Sequence, residues 1–166
     1  DFPGTYSLEP ISGEEAIAVS FLNEALADDN VSHVLCVADA TRLEKSLHFI
    51  LQVIRECQHH QKPVTILANM SDVIRDNQLQ FDPAGLSAAL GAPVISVSAK
   101  ESQGFEPLVE CLAEGAAPAT PPSRNWRETP NEILRGTAQQ LAAQFSPKGD
   151  VLINSQLRLD RFFLST

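Results

Sequence analysis

Three stretches of the chain are predominantly apolar rather than alternating: Val31–Ala40, Pro63–Asn69 and Ala92–Ser98. Each is short and rich in Val, Ile, Leu or Ala. Strands buried on both faces of a parallel sheet need that pattern. Between them the period changes to that of helices. Ser12-Gly-Glu-Glu15 has the form of a capping box and opens a helix running to about Leu26. Thr41-Arg-Leu-Glu44 is a second such box. It precedes an apolar stripe at Leu43, Leu47, Ile50, Leu51 and Ile54. Asp82 is placed to cap a short helix that stops at Leu90-Gly91, and Phe105–Glu114 supplies another. Alternation of strand and helix predicts an α/β fold, a mostly parallel sheet with flanking helices.

The texture changes near residue 115. Gly115-Ala-Ala-Pro-Ala-Thr-Pro-Pro122 cannot continue a helix. The expected organisation is a first domain over 1–114, a Pro-rich linker over 115–127 and a small helical domain over 128–166. The last part carries helical patterns at Pro130–Phe145 and Ser155–Leu164, separated by Ser146-Pro-Lys-Gly149. Neither is long enough to form a core alone, so each packs on the first domain or on a further partner.

Composition adds charge to this picture. The 166 residues are 43% hydrophobic and 20% charged, with a net charge of −9. Residues 1–123 carry 6 Lys/Arg and 17 Asp/Glu, residues 124–166 carry 6 and 4, so a weakly basic tail follows an acidic body. Nucleic acid is not expected as a partner, since its phosphates require neutralisation. The basic tail is either a solvated face or a segment near an anionic membrane surface. No stretch approaches the ~20 apolar residues of a membrane helix, and the chain reads as soluble. Cys36, Cys57 and Cys111 have no framework spacing and read as small core residues. His48, Cys57, His59 and His60 make a poor metal site. Adjacent histidines diverge on a helix, and no ligand spacing repeats.

Candidate chemistry lies at strand ends, where open α/β sheets bind ligands. Asn69-Met70-Ser71-Asp72 follows the second strand with the form N-x-x-D. A carboxylate there can accept from both N1–H and the 2-amino group of guanine. Adenine offers no such donors. The alternative is that Asp72 caps a helix. Ser98-Ala99-Lys100 follows the third strand, where the Ala99 N–H could donate to guanine O6; an ordinary strand-to-helix loop is the other reading. Asp1-Phe-Pro-Gly4 has the form D-x-x-G. Its Asp could reach Mg²⁺ through water, and its Gly could approach a γ-phosphate closely. A Pro-Gly turn explains the same residues.

Together these segments resemble the ferrous iron transport protein B (FeoB) family. Asp1-Phe-Pro-Gly-Thr-Tyr-Ser-Leu8 is similar to its D-x-P-G-T-Y-S-L stretch. Val37-Ala-Asp-Ala-Thr-Arg-Leu-Glu44 is similar to V-V-D-A-x-x-L-E. Leu67-Ala-Asn-Met-Ser-Asp72 resembles L-N-M-x-D, with Met70 where Lys is common in other GTPases. Leu90-Gly-Ala-Pro-Val94, Ser98-Ala99, Leu159-Asp-Arg161 and Phe163-Leu164 extend the likeness. The resemblance implies a P-loop GTPase-like domain of a bacterial Fe²⁺ transporter, at the cytoplasmic face of the inner membrane. It implies GTP or GDP and Mg²⁺ as cofactors. Asn69, Met70, Asp72, Ser98, Ala99 and Lys100 would be nucleotide-binding, Asp1, Gly4 and Thr5 would form switch II, and Asp1 would meet the metal.

It further implies a transmembrane part of the same transporter as partner, homo-oligomers as a possible assembly, and a helical domain that affects nucleotide release. Thr5 stands where Ras-like enzymes have the water-orienting Gln, in keeping with slow hydrolysis in this family. The 166 residues contain no G-x-x-x-x-G-K-[ST]. The expectation is therefore the later part of a longer protein. Guanine recognition would be retained, no catalytic residue assigned, and no hydrolysis would come from this chain alone. A degenerate GTPase-like docking module is the alternative.

Overall fold

The parallel sheet forms from the three apolar runs. In the computed structural model, β1 (Val34–Asp39), β2 (Val64–Asn69) and a later strand, β4 (Val94–Ser96), lie in the order β1-β2-β4. Leu8, residues 13–114 and residues 124–149 are described. Register pairs Cys36 with Ile66 and Ala38 with Ala68 on one face. All four are buried.

That face is covered by α2 (Leu43–His59), whose Leu43, Leu47, Ile50, Leu51 and Ile54 are buried as the stripe predicts. On the other face Leu67 and Val97 pack with Leu108 of α5 (Glu106–Glu114). The first helix, α1 (Gly13–Ala27), buries Ala18, Leu22 and Leu26. Its predicted cap, Ser12, lies outside the described residues, as does Ser155–Leu164.

The start of α2 differs from the expected capping box. Asp39, the last residue of β1, accepts from the Thr41 N–H at 2.9 Å and from the Thr41 hydroxyl at 2.6 Å. One 3-10 turn, Ala40–Arg42, follows, and α2 begins at Leu43. Arg42 occupies the cap position and makes no side-chain cap bond. The physical reason is competition: a carboxylate two residues upstream is the stronger acceptor for the Thr41 amide, and it also engages the hydroxyl.

The other helix ends follow the sequence. Asp82 accepts from the Gly85 N–H at 2.8 Å and starts α4 (Pro83–Leu90), with Pro83 in the first turn. Gly91 ends it with φ +69°, and a Cβ there would stand 2.4 Å from the Arg124 nitrogen. A short helix, α3 (Ser71–Asp76), follows β2. The antiparallel pairing of β3 (Leu79–Gln80) with β5 (Lys148–Gly149) is an addition to the expected elements. Two-residue strands carry too little pattern to be read from a sequence.

The helical stretch after the linker is α6 (Asn131–Phe145). Its Leu134, Ala138, Leu141, Ala142 and Phe145 share one core with α2 and with Leu86 and Leu90 of α4. Residues 124–131 bind it there. The Trp126 indole N–H donates to the Leu90 carbonyl at 2.7 Å. Gln58 accepts from the Trp126 N–H at 2.8 Å and donates to the Arg124 carbonyl at 2.7 Å. Arg127 donates to the Gln58 carbonyl, and Arg55 donates to Thr129 and Asn131. The Trp126 indole satisfies the Leu90 carbonyl at the end of α4, and Arg127 joins the Gln61 N–H on the Gln58 carbonyl near the end of α2.

Cys36 and Cys57 are buried and unpaired. Burial pushes both thiols up to about 12, so they behave as small core side chains. The Cys111 side chain lies outside the described residues.

Candidate functional site

The carboxyl ends of β2 and β4 meet in one polar corner. β2 ends at Asn69, and Met70 follows in the left-handed region with φ +77°. This turn breaks the strand and starts α3 within one residue. Asp72 is therefore in the first turn of α3 and does not cap it, since Met70 holds that position. Asp72 is 3% exposed, and its Oδ1 accepts from the Ser98 hydroxyl at 3.0 Å. Backbone bonds fix the two loops together: Val97 N–H donates to Ala68 O at 2.9 Å and Ser71 N–H to Val97 O at 3.0 Å.

Ser98, 1% exposed, also accepts from the Glu101 N–H at 3.1 Å. Asn69 Oδ1 accepts from the Ala99 N–H at 3.0 Å. Asn69 thus braces the neighbouring loop, and the Ala99 amide expected to meet a base is held by Asn69. Ser98 and Gln103 exchange two backbone bonds of 3.0 and 3.1 Å and close the loop between them. Gly104 has φ +83°, and a Cβ there would lie 2.4 Å from Ser96 O. Only glycine fits that approach.

The structure brings together Asn69, Asp72, Ser98 and Ala99. Met70 is 37% exposed beside them, and Lys100 is exposed on the loop. Asp1, Gly4 and Thr5 lie outside the described residues. Among the described residues, no three His, Cys, Asp or Glu side chains group as metal ligands.

Two contributors escape a reading of the sequence. Arg75, one turn beyond Asp72, donates to Glu101 through both terminal nitrogens, at 3.0 and 2.9 Å. Its guanidinium is also 3.0 Å from Asp76. Hydrogen bonds to Glu101 first, and then to Asp76, hold the Arg75 charge more firmly than usual. A signal existed: Arg at i+3 from Asp72 and an acid directly after Lys100. It gains meaning only once the two loops are adjacent.

A mostly parallel sheet with flanking helices, whose strand-end loops bring an N-x-x-D segment against an S-A-K segment, is that of the P-loop GTPase-like class. Residues 1–112 match the family described as Ferrous iron transport protein B. The chain belongs to that family.

A Porphyromonas gingivalis fusion of Fe(2+) transport protein A with the Fe(2+) transporter FeoB is 32% identical over 162 residues. The match takes in 96% of this chain and 17% of that protein. NFeoB from S. thermophilus in its mGMPPNP-bound form is 35% identical, with a TM-score of 0.57, over 69% of this chain and 41% of that one. The cytosolic domain of the T. maritima FeoB iron transporter in GDP form I is 30% identical, with a TM-score of 0.59, over 75% and 46%. The chain thus spans less than half of these relatives' lengths.

Proposed function

We propose that this chain supplies the guanine-recognition side of the GTP-hydrolysing cytoplasmic module of a bacterial ferrous iron transporter. The observation that carries the reading is the buried Asp72 carboxylate, fixed by Ser98 beside Asn69 and Ala99. It offers an acceptor pair to the N1–H and 2-amino donors of guanine. Adenine would leave that carboxylate with the Ser98 hydroxyl but without the two base donors, a cost of about 1–3 kcal/mol or more. Met70, 37% exposed, would give the base an apolar cover without a charge. Ala99 N–H can be shared between Asn69 Oδ1 and guanine O6. Lys100 extends the same loop.

Asp1, Gly4 and Thr5 are proposed as switch II, with Mg²⁺ reached through Asp1. That part rests on the D-x-x-G sequence and the family. Placement at the inner-membrane face, a transmembrane partner and a small helical domain over 128–166 rest on the family in the same way. Among the described residues no helix is long and apolar enough to cross a membrane.

Titration of the chain with GDP and with ADP, followed by amide shifts, tests the base reading. Two charge-assisted hydrogen bonds of roughly 1.5–3 kcal/mol each give a Kd on the order of 1 mM from base contacts alone. GDP is expected to shift Asp72 and Ala99 and ADP to leave them unmoved. Equal response to both nucleotides sinks the reading.

A further inference from the structure

We infer that the Arg75–Glu101 pair is a positioning device for the base site, a clamp that holds the 98–103 loop in its reading geometry and makes guanine-nucleotide affinity salt-sensitive. This rests on the guanine reading above. The geometry is a closed ring. Asp72 and Arg75 project from successive turns of α3. Asp72 takes the Ser98 hydroxyl at 3.0 Å, and Ser98 in turn accepts from the Glu101 N–H at 3.1 Å. The Glu101 carboxylate returns to Arg75 in a two-pronged contact of 3.0 and 2.9 Å.

The loop is therefore fastened to α3 at both ends of the Ser98–Glu101 segment. Ala99, which carries the amide proposed for guanine O6, lies between the two fastenings. That amide is itself tied to Asn69, at the end of β2. Within the loop, the Ser98–Gln103 bridge sets the turn but does not attach it to α3.

The two fastenings differ in kind. The Asp72–Ser98 contact is buried and shielded from salt. The Arg75 side chain is 56% exposed and that of Glu101 31% exposed. A single exposed ion pair is weak, but planar two-pronged geometry is the case in which one fixes orientation. Asp76 meets the same guanidinium from the helix side, at 3.0 Å. Lys100, the neighbouring cation, is exposed on the loop. Screening by salt acts on the outer fastening alone.

The test uses the full 166-residue chain with Arg75→Ala, Glu101→Gln and Arg75→Lys. Amide hydrogen exchange without nucleotide and GDP titration at low and high salt are both read. Arg75→Ala and Glu101→Gln are expected to speed exchange at Ala99 and Glu101, while Ile74 and the α2 amides stay unchanged. GDP affinity should fall about two- to fivefold at low salt and converge on the wild type at ~1 M salt. Arg75→Lys, which keeps charge without the fork, should recover part of the loss.

Unchanged loop exchange in both variants overturns the clamp. Faster exchange with unaltered GDP affinity overturns its role at the base site. If the wild type binds no GDP while loop exchange still responds, the guanine reading has failed and the positioning claim falls with it, a result distinct from the other two.

Discussion

Trp126→Phe removes the indole donor that joins the strap at residues 124–131 to the end of α4. Trp126 is 4% exposed, and its N–H lies 2.7 Å from the Leu90 carbonyl. Leu90 is the last residue of α4, so no amide further along that helix replaces the donor. A buried acceptor left without its partner costs about 1–3 kcal/mol. Phe also leaves roughly 40 Å³ unfilled among Leu86, Leu90 and α2, worth about 1 kcal/mol. The sum is about 2–4 kcal/mol. With an m-value near ~2 kcal/mol/M, the urea midpoint should fall by about 1–2 M. Trp126 is the chain's single tryptophan, so unfolding is followed by helical circular dichroism. A fall under about 0.3 M with m unchanged refutes the assignment of the strap as a principal tie between α4 and α2.

Two further outcomes follow from buried groups and a strained turn. Cys36 and Cys57 have thiols raised from 9.0 to about 12 by burial, with each other's charge a lesser cause for Cys57. The unfolded chain loses these protons first, so their stabilisation is intact below about pH 9 and lost as pH rises toward 12. Urea midpoints across that range should decline less steeply in Cys36→Ala/Cys57→Ala; an identical slope contradicts the cause given. Gly104→Ala should destabilise the chain by about 2 kcal/mol or more in thermal unfolding, because the left-handed backbone is strained for alanine and its Cβ would meet Ser96 O and Val97 Cα, at 2.4 and 3.2 Å. A Tm within about 1 °C of the wild type would show that the loop yields freely.

The sheet was legible from its apolar runs, but only β2, Val64–Asn69, is buried on both faces as such a run implies; β1 leaves Leu35 and Val37 exposed. The helices were legible from the α2 stripe and from Asp82 and Gly91, whose local chemistry sets their own ends. Reading failed where a residue answered to a competitor. Thr41 has a capping sequence, but Asp39 reaches its amide first. Asp72 and Ser98 were legible as motif positions. Their contact was not, because 26 residues separate them. Arg75 and Glu101 matter only through that same juxtaposition. α6 was readable as a helix that packs on the first domain or on a further partner, not as one docked on α2, and the strap at residues 124–131 depends on side-chain bonds that no periodicity encodes.

The central claim is that Asp72 reads guanine, and Asp72→Asn with a matched pair of nucleotides tests it most directly. In the variant, the amide oxygen can keep the Ser98 hydroxyl bond while an amide nitrogen replaces the second carboxylate oxygen. Guanine then meets a donor where its own donor points. Xanthine, with N1–H and a C2 carbonyl, is matched instead. GDP affinity should drop by about tenfold or more, and xanthosine diphosphate should bind the variant better than it binds the wild type. Asp72→Asn binding GDP as the wild type does, with no gain for xanthosine diphosphate, would contradict the account.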